Sequence, residues 1–147
     1  QMSLSKNESL RLPLAGGRVE AGFPSPADDF IERSLDLNEQ LVHNPIATFF
    51  ICAQGHSMVG AGIHDGDLLI VDRSMAPSHG SIVVAVVDGG LTVKRLSITR
   101  GKSQLRPEPN QQSQEAFQSI PLHEESDVTI WGVVTWSLHR LGVSCTH

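Results

Sequence analysis

The longest uninterrupted apolar run in the chain is Ile82–Val87, and five of its six residues are β-branched. A run of that length is far short of the roughly 20 residues that a membrane-spanning helix needs. β-branched side chains lose rotamer freedom in a helix and pack well on a pleated surface, so the run predicts a strand. Asp88-Gly89-Gly90 follows it and Leu91–Ile98 comes next, a pattern that predicts a tight hairpin. Strand-like stretches also occupy Ile46–Ala53, Asp67–Asp72, Gln104–Arg106, Phe117–Pro121 and Asp127–Leu141. Short strands separated by turn signals predict a mainly β domain. With 147 residues, 39% of them hydrophobic and 18% charged, the chain can bury one ordinary core.

The N-terminal part has a different character. Residues 1–21 hold three serines, Pro13 and the pair Gly16-Gly17, without a period that would bury one face, and predict a flexible arm. Gly22-Phe23-Pro24-Ser25-Pro26 is stiff and extended, because each proline fixes its own φ and restricts the residue before it. Ser25 as N-cap and Pro26 at the first helical position predict a short helix near 26–34, with Phe30, Ile31 and Leu35 on its apolar side. Asp36 predicts a second cap, for a turn of helix through about His43 that Asn44-Pro45 ends. Gln111–Gln114 reads as a solvated loop.

Charge and cysteine usage narrow the function classes. Against 11 Lys+Arg stand 16 Asp+Glu, a net charge of −5, which lacks the electrostatic footprint of a DNA-binder. Two cysteines cannot form a disulfide framework, and no Cys/His spacing resembles a zinc site, so neither a catalytic metal nor another cofactor is expected. With free thiols and no signal-peptide pattern, the expected location is the cytoplasm, away from membranes. Cys52 reads as a small buried hydrophobe and Cys145 as exposed and inert.

Gln54-Gly55-His56-Ser57-Met58 follows an apolar strand, and a serine in such a glycine-flanked turn can expose its hydroxyl beside backbone N–H groups able to hold an oxyanion. His56 adjoins Ser57, but neighbouring residues in an extended chain point to opposite sides, so it is poorly placed as a base. Only three lysines are present, and Lys94 is the one within a predicted strand, Lys102 reading as part of a polar turn. Alternation puts it on the face of Thr92, Leu96 and Ile98, with Arg95 on the face of Leu91, Val93 and Ser97. Both faces carry apolar residues, so two readings stand at this point. In one the ammonium snorkels to water; in the other burial keeps the amine neutral, able to take a proton from Ser57.

Four motifs in order carry a resemblance: Ala21-Gly22-Phe23-Pro24-Ser25-Pro26, Gly55-His56-Ser57-Met58, Asp65-Gly66-Asp67-Leu68-Leu69-Ile70-Val71-Asp72, and Thr92-Val93-Lys94-Arg95-Leu96. Together they resemble the LexA/UmuD family of self-cleaving serine peptidases, most closely its UmuD branch of SOS-mutagenesis proteins, from Gly22 almost to the C-terminus. The resemblance implies a LexA/UmuD C-terminal-like peptidase fold, with short N-terminal helices and a cleavable arm (1–21) ahead of an autopeptidase and dimerisation domain (22–147). It implies Ser57 as nucleophile, Lys94 as general base and Ala21-Gly22 as the scissile bond. The backbone N–H of Ser57, with that of His56 or Met58, would form the oxyanion hole.

The implied partners are a second copy of the chain, a RecA filament on single-stranded DNA that stimulates cleavage, and a UmuC-type Y-family polymerase for translesion synthesis. No sequence-specific DNA binding is implied. The chain departs from the branch in having Ala-Gly where Cys-Gly is common, and His56 where a small or acidic residue is frequent. Two other readings are a polymerase-binding module that keeps the fold without cleaving, and a truncated LexA- or phage-type repressor. The second is disfavoured because residues 1–21 cannot supply a helix-turn-helix. Type I signal peptidases also pair a Ser-Met motif with lysine, but they carry a membrane anchor.

Overall fold

The computed structural model describes residues 9–23, 31–123 and 125–142. Its contacts divide the chain into two compact units between His43 and Asn44.

In the first unit, β1 (Leu12–Ala15) pairs antiparallel with β2 (Ile31–Leu35), opposing Leu12 to Leu35 and Leu14 to Arg33. The Arg11 guanidinium donates to Ser34 Oγ at 3.0 Å and to the Ser34 carbonyl at 3.2 Å, tying the start of β1 to β2. Asp36 caps α1 (Leu37–Leu41) as its position predicts, its carboxylate accepting from Asn38 N–H at 2.9 Å.

Two expectations need correction here. The stretch predicted as patternless contains β1, and the helix predicted near 26–34 is a strand from Ile31 onward. Its first part, with Ser25 and Pro26, lies outside the described residues. Ile31 and Leu35 share a face at helical i, i+4 spacing and also at strand spacing, so their period does not discriminate. A partner strand 16 or more residues upstream decided the outcome.

The second unit is one antiparallel sheet. Its strands are β3 (Thr48–Cys52), β4 (Leu68–Asp72), β5 (Ile82–Val87), β6 (Gly90–Thr99), β7 (Lys102–Arg106), β8 (Ile120–Leu122) and β9 (Val128–Leu138), in the spatial order β3-β4-β9-β5-β6-β7-β8. A mainly β fold is therefore what the chain has. The predicted hairpin joins β5 to β6, with Asp88 and Gly89 both at positive φ (50° and 82°), as a type I′ turn requires. The segment predicted to be extended from Ile46 begins instead with a 3₁₀ turn at Pro45–Ala47.

β9 enters between β4 and β5, so the last strand locks the earlier ones together. Gly132 permits this: a Cβ there would lie 2.6 Å from Val71 Cγ1. The unit has two apolar clusters. One gathers Met58, Ile63, Leu69, Val71 and Val84, and the other Val83, Ala85, Leu96, Leu105 and Val133. Consecutive β5 residues thus serve different clusters, which explains why Ile82–Val87 is apolar throughout instead of alternating. Among the described residues no helix is long and apolar enough to cross a membrane.

Candidate active site

Beyond β3 the chain is bound back to the start of β4 by two backbone bonds, Ala53 N–H to Asp67 O and Gly66 N–H to Ala53 O, both 2.8 Å. Gly55, at φ 93°, reverses direction, and its N–H donates to the Asp65 carboxylate at 2.7 Å. Ser57 follows, half-buried, and Met58 anchors the turn in the first apolar cluster. A 3₁₀ turn, Val59–Ala61, then ends at Gly62 in the left-handed region.

Glu108 closes this segment from the far side. Its N–H donates to Ser57 O and its carbonyl accepts from Gly60 N–H, each at 2.7 Å. The approach is close enough that a Cβ on Gly60 would lie 2.8 Å from Pro109 O. The Glu108 carboxylate in turn accepts from Arg95 Nε and, at 3.2 Å, from Arg95 Nη2, while Arg95 Nη1 donates to Gly80 O at 2.7 Å.

Lys94 stands on β6 directly across from the fully buried Val83. It is only 8% exposed, and its Nζ donates to Ser57 Oγ at 3.1 Å, to Thr92 Oγ1 at 3.0 Å and to Val93 O at 3.1 Å. No ion pair involves it among the described residues. Burial without a countercharge pushes its pKa below the ordinary 10.5. The snorkelling reading of this lysine is thereby excluded, because the amine is held inside against a hydroxyl.

The three acceptors give the amine a definite orientation. A neutral amine keeps two N–H bonds and one lone pair. With Thr92 Oγ1 and Val93 O taking the two N–H bonds, the lone pair of such an amine would be the one directed to the Ser57 hydroxyl. In front of the pair lies a cleft of about 370 Å³, floored by Ile51, Ile63 and Val84 and edged by Ser57 and Thr92. Among the described residues no acceptor is recorded for the backbone N–H groups of Ser57 and Met58.

The peptidase S24-like family profile matches residues 13–135, a span that includes Ser57 and Lys94. The chain is 44% identical to protein ImpA of Salmonella typhimurium over 136 residues, covering 92% of this chain and 89% of that one. To protein MucA of Escherichia coli it is 44% identical over 131 residues, 86% of this chain and 84% of that. To the LexA repressor of Clostridium acetobutylicum it is 36% identical over 105 residues, 71% of this chain and 51% of that.

The chain belongs to the peptidase S24-like family. Within it, the chain is a UmuD-like member of the LexA/UmuD group, the resemblance that its four motifs carry.

Of the residues that the sequence nominates, this S24 domain brings Ser57 and Lys94 into hydrogen-bond contact across 37 positions of sequence. Met58 is a core anchor, and the His56 ring points to solvent without a hydrogen bond among the described residues. Ala21 and Gly22 are exposed residues of the other compact unit.

Cys52 is a correction: it is exposed and lines the cleft. β3 is an edge strand bonded to β4 alone among the described residues, so it lacks the cover of a second neighbouring strand. Cys145 lies outside the described residues. Sequence reasoning missed Thr92 as a partner of the amine and the Arg95–Glu108 pair as a brace for the serine turn. The two-residue offset of Thr92 and Lys94 on one strand face signalled the first. Nothing local signalled the second.

Proposed function

We propose that this chain is a UmuD-like SOS-response protein that cleaves itself between Ala21 and Gly22 with Ser57 as nucleophile and Lys94 as general base. The observation that carries the reading is a buried lysine without a countercharge, 3.1 Å from a serine hydroxyl in a cleft. Lys94 Nζ takes the Ser57 proton as Oγ attacks the Ala21 carbonyl carbon. The oxyanion is held by the N–H of Ser57 with that of Met58 or His56. The ammonium formed on Lys94 returns its proton to the Gly22 nitrogen as the Ala21–Gly22 bond breaks. Water, deprotonated by the same amine, then hydrolyses the Ser57–Ala21 ester.

Cleavage of this kind removes 21 residues and leaves 126. The product would act as a homodimeric accessory subunit of an error-prone Y-family polymerase of the UmuC type, and a RecA filament on single-stranded DNA would favour the cleavage-competent arrangement. Both expectations rest on membership in the UmuD-like group. Neither a metal nor another cofactor enters this chemistry.

The test is incubation of the purified full chain at neutral and alkaline pH, with and without an activated RecA filament, followed by mass spectrometry. The expected result is a fragment beginning at Gly22 that forms faster at alkaline pH or with the filament and is absent in Ser57→Ala. A folded chain that stays intact under all four conditions would overturn self-cleavage and leave a binding module on the S24 fold.

A further inference from the structure

His64, Asp67 and His139 come together at the base of the segment that carries Ser57, and peptide cleavage uses none of them. His64 and Asp67 flank the turn that enters β4, while His139 follows the last residue of β9, 72 positions from Asp67. The two segments meet because Leu68 opposes Leu138 in the β4–β9 ladder. The Asp67 carboxylate is 1% exposed and held in place by His64 N–H at 2.7 Å and Ser137 Oγ at 3.1 Å. Around it stand His139 Nδ1 at 2.5 Å from Oδ1 and His64 Nδ1 at 3.6 Å from Oδ2, with the two imidazole rings 4.4 Å apart.

We propose that His64, Asp67 and His139 form a binding site for a divalent first-row transition-metal ion, with zinc as the representative. One ligand atom from each residue lies within 4.8 Å of the others. Metal–nitrogen and metal–oxygen bonds of about 2.0–2.2 Å require ligand atoms roughly 3–3.5 Å apart. The widest spacing must therefore close by about 1.5 Å, and the His139–Asp67 contact must open by about 0.5 Å. Both histidine side chains are more than two-fifths exposed and can make these rotations, while the buried carboxylate stays fixed.

Two imidazoles and one carboxylate suit zinc, nickel or copper and not calcium or magnesium, which take oxygen ligands throughout. Solvent on the histidine side supplies the remaining coordination position. The Ser137 hydroxyl and the His64 N–H orient the carboxylate from behind, as the outer partners of a metal ligand do.

The site lies apart from the Ser57 cleft, and the inference does not depend on the peptidase reading. A bound ion would cross-link the turn before β4 to the end of β9. The Ser57 segment leans on that turn through Ala53, whose N–H bonds the carbonyl of Asp67. Metal binding would thus stiffen the platform beneath the serine without touching the chemistry.

The experiment is calorimetric titration of the full chain with Zn²⁺, repeated with Co²⁺ under visible absorbance, for wild type, His64→Ala, His139→Ala and the control His43→Ala. The expected result is one equivalent bound. Each of the two site variants should weaken binding at least about tenfold and abolish the Co²⁺ band, with the control unchanged. Zinc should also raise the wild-type melting temperature by several degrees and leave both site variants unmoved. All three substituted histidines are exposed, so each variant should fold, and its far-ultraviolet spectrum checks this. Absence of binding by folded wild type, or binding that survives both site substitutions, would overturn the assignment.

Discussion

Lys94 and Arg95 are consecutive cations on β6, and the two sides of that strand treat them in opposite ways. Lys94 forms no ion pair among the described residues, and its neighbours are a serine, a threonine, a carbonyl and apolar carbon. Arg95 turns to the other side and meets Glu108, with a carbonyl for its remaining edge. Desolvation without compensation disfavours the charged lysine, whereas the glutamate holds the arginine charged. One strand therefore carries a cation that can lose its proton and, beside it, a cation that cannot. The first is suited to proton transfer. The second fixes Glu108, whose backbone in turn fixes Ser57.

Exchanging the two kinds of cation is the most severe way to break this contrast. Lys94→Arg keeps the positive charge and most of the length, but a guanidinium does not deprotonate in a protein. Self-cleavage should fall by at least about 10²–10⁴-fold, the usual worth of a general base. Band intensities over a time course, with circular dichroism to establish folding, check this. Lys94→Met should abolish cleavage equally while raising the melting temperature at neutral pH, since it removes an uncompensated buried cation.

The wild-type rate should rise with pH through the depressed pKa of Lys94, because the neutral amine is the active form. Stability follows the same sign. Between the folded-state pKa and the ordinary 10.5 the native chain holds fewer protons than the unfolded chain, so unfolding free energy climbs with pH across that window. A cleavage rate that falls from neutral to alkaline pH, in folded protein, would remove Lys94 from the role of base.

A smaller effect is expected where the brace meets the serine turn. In Gly60→Ala the new methyl group would lie 2.8 Å from Pro109 O and 2.9 Å from Glu108 O, so the 108–109 segment must move away. Both Glu108 bonds to the serine turn would lengthen. Overpacking of this kind typically costs about 1–3 kcal/mol. The cleavage rate should drop about tenfold or more, since misplacing a reacting group by an ångström can cost about 10²-fold. Denaturant unfolding and cleavage kinetics measured on the same preparation separate the two effects. Wild-type kinetics in a destabilised variant would show that the brace does not position Ser57.

These contrasts also explain what was legible in the sequence. The sheet strands were readable because Ile82–Val87 is a β-branched run, and Leu91–Ile98 and Asp67–Asp72 are short apolar-rich stretches, each beside turn residues, a local signal. Lys94 could be singled out, but its burial could not, because β6 has apolar residues on both sides and the sheet has a cluster for each. The strand at Ile31–Leu35 was illegible for a related reason: its apolar spacing fits a helix equally well, and its partner β1 is remote in sequence. Cys52 depended on β3 being an edge, a property of strand order and not of the strand itself. The site was legible as chemistry through the four motifs. The Arg95–Glu108 brace on its serine turn is a contact between remote segments that no single segment encodes.

The gentlest perturbation leaves both cations in place and removes only the charge that distinguishes their surroundings. Glu108→Gln preserves the shape of the side chain and the backbone bonds to Ser57 and Gly60. It weakens the hold of Arg95 and removes the carboxylate that pairs with it. The pair is about one-third exposed on each side, so solvent screens it and the cost in stability should be no more than about 1 kcal/mol. The pH signature is the sharper readout. Hydrogen bonding from Arg95 holds the Glu108 pKa below the ordinary carboxylate value, against a smaller opposing effect of burial. A depressed folded-state pKa contributes stability that is present above the unfolded value and lost as pH falls through the folded one. Wild type should therefore lose a little more stability than Glu108→Gln on acidification, and the two should differ by a constant amount from neutral pH upward. Cleavage at neutral pH should slow only a few-fold, because the backbone bonds of Glu108 survive the substitution. A loss as large as that of Lys94→Arg would place Glu108 among the groups that handle the proton and dissolve the distinction between the two sides of β6.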